Sequence, residues 1–343
     1  MRAPSRWWFP LALLLPLCRA EAQTTVTVQA WKLLTPHVEQ PTEVWFSPDG
    51  KLLATSSEDR TVKLTSTETF KEVRTLRGHT DKVWTLSFSP DGKRLASGGA
   101  DGTIRIWSVA SGKEIRSISP AHAGGVSSVV FAPDGETVVS GGGDKAVRVW
   151  SAETGKELRS FTDHPGAVYV VAVSPDGKRI ASASSDSIDY LVVKLWSLEA
   201  DREVRSWDAY TAAVAFSPDG QTLALGAPYP LEQEAPEPAL WTAAQLWSTA
   251  TETATATLWG HGLPVRALAF SPGGKLLATG GEDLHVKLWS VETGQVLAEL
   301  PELPDQPHWI AFSPDGRLLA TVSLDQNVRL WQVTCSAAMK AAA

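Results

Sequence analysis

Residues 78–108 read GHTDKVWTLSFSPDGKRLASGGADGTIRIWS, and this stretch decides the fold. It contains three short runs of β-forming residues, Val83–Phe88, Arg94–Ser97 and Thr103–Trp107, separated by turn-forming residues. In the first turn, Ser89–Gly92, proline fixes φ, aspartate can bond to its own main chain, and glycine tolerates a positive φ. A sheet this small cannot bury its apolar side chains alone. The stretch therefore predicts a unit that stacks against copies of itself.

The turn recurs along the chain at a nearly constant spacing. Its first residue steps by 42, 43, 42, 43, 54 and 42 positions, which gives seven copies. A period of about 40–45 residues is the length of one four-stranded propeller blade. The copies lie at 47–50, 89–92, 132–135, 174–177, 217–220, 271–274 and 313–316. The unbroken repeat favours one ring of seven units over two separate domains.

With this repeat the chain resembles the WD40-repeat proteins over about residues 25–333. The resemblance implies an all-β fold, a seven-bladed β-propeller of four-stranded antiparallel blades across residues 24–333. The last repeat has no fourth strand after Asn327–Trp331, whereas residues 24–34 alternate like a strand. We therefore predict that this N-terminal strand pairs into the last blade and closes the ring. Residues 334–343 are predicted to form a disordered C-terminal tail.

The N-terminus, MRAPSRWWFPLALLLPLCRAEA, has the three parts of a secretory signal peptide. Arg2 and Arg6 make a positive start, an apolar run follows, and Ala20–Ala22 is a small-x-small cleavage site. The apolar run is too short to span a bilayer. We predict a signal peptide over residues 1–22, cleavage after Ala22, and a periplasmic or secreted product. An uncleaved apolar tail and a lipoprotein anchor at Cys18 remain alternatives.

Composition limits the classes of partner. The net charge is −7 and the chain has no basic run, which disfavours nucleic acid as a partner. Apart from Cys18 in the leader, Cys335 is the chain's other cysteine, so the mature protein would have no internal disulfide. We interpret Cys335 as incidental rather than reactive. The expected product is a monomeric ring with no membrane span.

Motifs for catalysis are missing from the sequence. There is no Gly-x-Ser-x-Gly, His-Glu-x-x-His, Cys-x-x-Cys or phosphate-binding loop. We therefore predict a protein that is not an enzyme and that has no cofactor and no metal. The alternative is an exported propeller enzyme or small-ligand binder that uses the central channel. Carboxylates converging on the channel would favour that alternative.

The resemblance also implies a buried hydrogen-bonded set of His, Ser or Thr, Asp and Trp in each repeat. These sets are interpreted as structural and not as catalytic triads, because they repeat around the ring. The sets are His79, Ser97, Asp101 and Trp107 in blade 2, His122, Ser140, Asp144 and Trp150 in blade 3, His164, Ser182, Asp186 and Trp196 in blade 4, and His261, Thr279, Asp283 and Trp289 in blade 6. Blades 1 and 7 are incomplete, with Thr65 where Trp belongs and Leu303 where His belongs, and blade 5 keeps only Trp247.

Irregular repeats suggest where a partner binds. Blade 5 contains an insertion, APYPLEQEAPEPALW over residues 227–241, and blade 4 has a smaller one around Ser187–Tyr190. We predict a site of aromatic residues with an acidic rim, Tyr190, Tyr229, Trp241, Glu232, Glu234 and Glu237. An unselected loop is the alternative.

A second candidate set follows from the resemblance. One position near the start of each first strand often lines the same face in WD40 proteins. It holds Thr42, Trp84, Ser127, Tyr169, Ala212, Arg266 and His308. Trp84, Tyr169, Arg266 and His308 are residue types that anchor interfaces. Local packing near the channel mouth is the alternative for them. The favoured function is a non-catalytic scaffold that binds a protein or peptide on this face.

Overall fold

The computed structural model describes residues 24–187, 190–209, 213–226 and 244–337. These residues form 28 β-strands in seven antiparallel sheets of four strands, which confirms the predicted propeller. Blade 1 contains β2 (Pro41–Phe46), β3 (Leu52–Ser57), β4 (Thr61–Ser66) and β5 (Glu72–Arg77). Blade 2 contains β6 (Val83–Phe88), β7 (Arg94–Gly99), β8 (Ile104–Ser108) and β9 (Glu114–Ile118). Blade 3 contains β10 (Val126–Phe131), β11 (Thr137–Gly142), β12 (Val147–Ser151) and β13 (Glu157–Phe161).

The remaining blades follow the same order. Blade 4 contains β14 (Ala167–Val173), β15 (Arg179–Ser187), β16 (Tyr190–Ser197) and β17 (Arg202–Ala209). Blade 5 contains β18 (Val214–Phe216), β19 (Thr222–Gly226), β20 (Ala244–Ser248) and β21 (Ala254–Leu258). Blade 6 contains β22 (Val265–Phe270), β23 (Leu276–Gly281), β24 (Val286–Ser290) and β25 (Val296–Glu299). Blade 7 contains β26 (Pro307–Phe312), β27 (Leu318–Ser323), β28 (Val328–Ala337) and β1 (Thr24–Leu34).

The N-terminal strand closes the ring as predicted. β1 is the outer strand of blade 7 and pairs antiparallel with β28, from Thr24 opposite Ala337 to Leu34 opposite Val328. The predicted tail boundary was wrong, because β28 continues through Ala337. The strand extends that far because β1 supplies a pairing partner for each of these residues. Residues 338–343 lie outside the described ranges.

Apolar side chains hold neighbouring blades together. The buried residues of the described ranges fall into seven clusters, and each cluster joins one blade to the next. Blades 1 and 2, for example, share a cluster in which Leu64 and Leu76 meet Leu86 and Trp107. Blades 7 and 1 share another, with Leu330 against Val44. The core is therefore a circle of interfaces, as expected for sheets that cannot bury their side chains alone.

The Ser-Pro-Asp-Gly turns form a second circle of contacts. Within blade 2, Ser89 Oγ donates to Asp91 Oδ1 at 2.6 Å, and Gly92 has a φ of 68°. Each turn glycine also lies close to the turn proline of the preceding blade. A Cβ atom built on Gly92 would lie 3.4 Å from Pro48 Cδ, and one on Gly50 would lie 3.8 Å from Pro314 Cδ. The motif therefore recurs because it joins each blade to its neighbour as well as turning the chain.

Chain direction assigns two faces to the ring. The first strand of each blade is innermost and ends at the Ser-Pro-Asp-Gly turn, so these turns share one face. The loop that leads into each first strand, and the turn between the second and third strands, lie at the opposite end. We call this opposite face the entry face and the other one the turn face.

Candidate functional site

The His-Ser-Asp-Trp set of blade 2 is a continuous chain of hydrogen bonds. Trp107 Nε1 donates to Ser97 Oγ at 2.8 Å, and Ser97 Oγ lies 2.8 Å from His79 Nε2. On the other side of the ring, His79 Nδ1 lies 2.9 Å from Asp101 Oδ2. Ser97 is 0% exposed, so no substrate can reach its hydroxyl. The set resembles a catalytic triad in composition, but its geometry fits a structural role.

Charge in this set is fixed by hydrogen bonding. Burial alone would raise the pKa of Asp101, but bonds from His79, Thr80 and Thr103 outweigh it and hold the pKa well below its ordinary value. In blade 6 the same balance holds the pKa of Asp283 at about 2. These carboxylates therefore stay ionised at neutral pH. At neutral pH they therefore carry no proton that they could donate as a general acid.

The sets of blades 3 and 6 have the same geometry. His122 lies 2.7 Å from both Asp144 Oδ1 and Ser140 Oγ, and Trp150 Nε1 donates to Ser140 Oγ at 2.8 Å. In blade 6, Thr279 Oγ1 takes the serine's place, 2.6 Å from His261 Nε2 and 2.7 Å from Trp289 Nε1. The described contacts thus join all eight predicted residues of these two blades.

Blade 4 brings together three residues of its predicted set. His164 Nε2 lies 2.6 Å from Ser182 Oγ, and Trp196 Nε1 donates to the same hydroxyl at 2.7 Å. His164 Nδ1 lies 2.7 Å from Ser184 Oγ, a contact that the sequence did not predict. The side chain of Asp186 lies outside the described residues. Burial lowers the pKa of His164 to about 4, assisted by the charge of Lys194.

The incomplete blades satisfy their polar atoms differently. In blade 1, His37 keeps its bonds to Asp59 and Thr55, both at 2.8 Å, although Thr65 replaces tryptophan. In blade 7, the buried Leu303 occupies the histidine position. The aspartate of the blade 7 set, Asp325, has no histidine to pair with and forms an ion pair with Arg329. In blade 5, Trp247 Nε1 donates to Gln245 Oε1 at 3.0 Å.

The second candidate set occupies β-bulges at the entry face. The pairing register of the inner strands shifts across Trp84, Ser127, Tyr169, Arg266 and His308. A bulge leaves one residue without a direct partner and re-aims its side chain. Bulged positions therefore recur near the start of the inner strand in the six blades where this position is described. Ala212 lies outside the described residues.

Two members of this second candidate set are packed against neighbouring blades. The ring of Trp84 lies on the entry loop of blade 3, where a Cβ atom built on Gly125 would lie 2.4 Å from Trp84 Cζ3. Burial lowers the pKa of His308, and main-chain groups of Thr42 and Pro41 in blade 1 oppose this shift. Both side chains therefore contribute to contacts between blades.

The other two members face solvent. Tyr169 is 50% exposed on blade 4, and Arg266 is exposed on blade 6, where it pairs with Glu282. These two blades flank blade 5, which carries the insertion. Exposed apolar side chains also lie on the entry loops of blades 1 and 6 and on the last turn of blade 7, namely Val38, Leu263 and Leu324. The entry face thus combines aromatic, cationic and apolar groups that can bind a partner.

Most of the insertion candidates lie outside the described residues. Tyr229, Trp241 and the glutamates Glu232, Glu234 and Glu237 lie outside the described residues. The backbone of Tyr190 begins β16, opposite Ser187, but its side chain also lies outside. Blade 4 uses its extra residues to lengthen the hairpin of β15 and β16.

Sequence reasoning missed a buried acid in the channel wall. Glu43 on β2 is 5% exposed, and both Leu86 N and Trp45 Nε1 donate to its Oε2 atom, at 2.9 and 3.1 Å. Burial raises the pKa of Glu43 to about 8, despite these bonds. Its sequence signal is a lone carboxylate at a position that holds Thr85 and Ser128 in the next two blades.

Among the described residues, no cluster of three or more His, Cys, Asp or Glu side chains could hold a metal ion. Within the same ranges, no helix has the length and hydropathy needed to cross a membrane. Cys335, the cysteine in the described part of the chain, is a free and exposed thiol on β28.

Comparisons with known proteins agree with this architecture. Residues 40–209 match the family model described as "WDR90, 4th beta-propeller". Residues 252–290 and 306–332 match "WD domain, G-beta repeat". The chain therefore carries WD40 repeats in a seven-bladed propeller.

Two curated relatives illustrate the range of proteins that are similar. The meiotic recombination protein rec14 of Schizosaccharomyces pombe is 29% identical over 136 residues, which cover 38% of this chain and 39% of that protein. The WD repeat-containing protein SL1-17 of Schistosoma mansoni is 30% identical over 169 residues, covering 40% of this chain and 55% of that protein. The chain thus matches about half or less of each relative's length.

Proposed function

We propose that this chain is a non-catalytic interaction scaffold, exported after cleavage at Ala22, that binds a protein or peptide on the entry face. The observation that carries the proposal is the exposure of Tyr169 and Arg266 on bulges that flank blade 5. The matching repeat models support the WD40 propeller as the framework of the proposed scaffold. Catalysis has less support, because Glu43 is the one carboxylate on the described inner strands.

Variants on the two surfaces can test the binding face. The double variant Tyr169→Ala with Arg266→Ala removes the aromatic and the cation that face solvent. Leu158→Ala with Arg317→Ala makes the same kind of change elsewhere, on an outer strand and on the turn face, where both side chains are exposed. We expect proteins captured from native extract by the wild-type chain to be lost with the first pair and retained with the second. Equal capture by both pairs would refute the entry face as the site.

Export is tested separately. N-terminal sequencing of the protein from its own cell should find Gln23 as the first residue, because the leader ends in a small-x-small site. A protein that retains Met1 in the cell would contradict export. It would leave the binding face untouched as a proposal.

A further inference from the structure

The inner strand of every blade has one edge with no strand beside it. Main-chain N–H groups on that edge must find another acceptor, or solvent. In blades 2, 3 and 4 the preceding blade supplies one. Leu86 N donates to Glu43 Oε2 at 2.9 Å, Val129 N to Thr85 Oγ1 at 3.0 Å, and Val171 N to Ser128 Oγ at 3.1 Å. In these three blades, which form about half of the channel wall, side chains of the preceding blade satisfy the outward N–H groups.

In the other blades, no side chain among the described residues accepts a hydrogen bond from the equivalent N–H group. By the repeat, the equivalent N–H groups belong to Val214, Leu268, Ile310 and Val44. The side chains that would have to accept from them are Val170, Ala213, Ala267 and Trp309. None of these has an acceptor atom. Trp309 adds a donor, since its buried Nε1 has no partner among the described residues.

Among these other blades, β22 of blade 6 has the most accessible edge. Its last three residues, Leu268–Phe270, are all partly exposed, whereas the equivalent Leu86 of blade 2 is 0% exposed. Small side chains surround the strand, namely Ala213 and Ala215 from blade 5 and Ala267 and Ala269 from β22 itself. In blade 2 the same four positions hold Glu43, Trp45, Thr85 and Ser87. Alanine lets another chain approach the main chain closely.

We propose that the open edge of β22 is a docking slot for an extended peptide segment of the partner. On a strand edge, the residue whose N–H points outward also has its C=O pointing outward. Leu268 and Phe270 therefore present alternating donors and acceptors about 6.8 Å apart, which matches the main chain of another strand. A small anion would use the donors alone. The peptide enters from the entry face beside Arg266, so this inference rests on the proposed function.

Substitutions can close the slot without disturbing the ring. Ala213→Ser supplies a hydroxyl where Ser128 seals blade 4, and it is expected to satisfy Leu268 N–H. Ala269→Leu fills the slot with a larger side chain. Ala311→Ser is the matched control, because it makes the same change to the inner strand of blade 7. Thermal unfolding should show that all three variants remain folded, with Ala213→Ser at least as stable as the wild type.

The probe is a displayed library of random peptides selected on the folded wild-type chain. We expect the selected peptides to slow hydrogen exchange across residues 265–270. They should bind Ala213→Ser and Ala269→Leu at least tenfold more weakly, and Ala311→Ser as tightly as the wild type. The inference is overturned if no peptide is selected, or if selected peptides bind all variants equally. The Tyr169 and Arg266 capture experiment would still decide the proposed function in either case.

Discussion

Glu43→Gln should stabilise the protein at neutral pH. In the folded chain, burial raises the pKa of Glu43 from 4.5 to about 8, so this buried acid binds a proton at pH 7 that the unfolded chain releases. Glutamine has the same shape and keeps an acceptor oxygen for Leu86 N and Trp45 Nε1. It removes the cost of protonation without opening the interface between blades 1 and 2.

The size of the stabilisation expected for Glu43→Gln follows from the pKa shift of Glu43. Each unit between pH and pKa corresponds to about 1.4 kcal/mol, so holding the proton at pH 7 costs ~3 kcal/mol. Because the folded state binds the extra proton, wild-type stability falls as pH rises from 4.5 towards 8. The advantage of Glu43→Gln should therefore be near zero at pH 4.5, grow with pH, and level off above pH 8.

Urea unfolding of both proteins between pH 4.5 and 8.5, followed by tryptophan fluorescence, measures this difference. Glu136→Gln, at an exposed residue of blade 3, is the control and should behave like the wild type at each pH. A Glu43→Gln variant whose advantage does not change with pH would refute the buried-acid argument.

Three further outcomes are expected. Ser97→Ala leaves His79 Nε2 and Trp107 Nε1 buried without their shared partner, and should reduce the free energy of unfolding by about 1–3 kcal/mol in chemical denaturation, whereas exposed Ser117→Ala should not. Between pH 4 and 6.5 the unfolded wild type binds a proton on His164 that the folded chain excludes, so the free energy of unfolding rises with pH. His164→Gln should reduce this slope, measured by urea unfolding, by up to ~1.4 kcal/mol per pH unit, and an unchanged slope would contradict the argument. Gly125→Ala should lower the melting temperature, since its Cβ would clash with Trp84 at a φ of 100°. The loss should be smaller in a Trp84→Ala background than in the wild type, and equal losses in both backgrounds would exclude that clash as the cause.

The repeat was sufficient to predict the blades, because each Ser-Pro-Asp-Gly turn has a local chemical cause and recurs at a fixed period. Closure was also predictable, since residues 24–34 alternate like a strand and the last repeat lacks one. The reach of β28 to Ala337 was not, because it depends on how far β1 accompanies it.

Site residues were harder to predict, because the residue type at a position does not determine whether its side chain packs against a neighbouring blade or faces solvent. Trp84 and Tyr169 occupy the same bulge position, yet Gly125 makes room for one ring while the other faces solvent. Ser184 Oγ lies 2.7 Å from His164 Nδ1, and the repeat pattern did not predict this residue as a member of the blade 4 set. The open edge of β22 has a signal in the sequence. The inner-strand position that holds Glu43, Thr85 and Ser128 in blades 1 to 3 is alanine in blades 5 and 6, at Ala213 and Ala267. This signal can be interpreted only when the hydrogen bonds between blades are known, because they show that the side chain at this position accepts from the next blade.

The ring closed by β1 is the premise of every proposal made for its entry face. Val28 lies opposite Val333, and Val333 N donates to Arg317 O on the far side, so the two valines form a non-hydrogen-bonded pair. The Cα atoms of such a pair are about 4.5 Å apart, which suits a disulfide.

The most direct measurement is therefore the mass and thiol content of Val28→Cys with Val333→Cys, made with Cys335→Ser and oxidised. We predict that the 28–333 disulfide forms in the native state and raises the melting temperature, whereas the off-register pair Val28→Cys with Gln332→Cys stays reduced. Free thiols in the first pair, or equal cross-linking of both, would contradict a ring closed by its first strand.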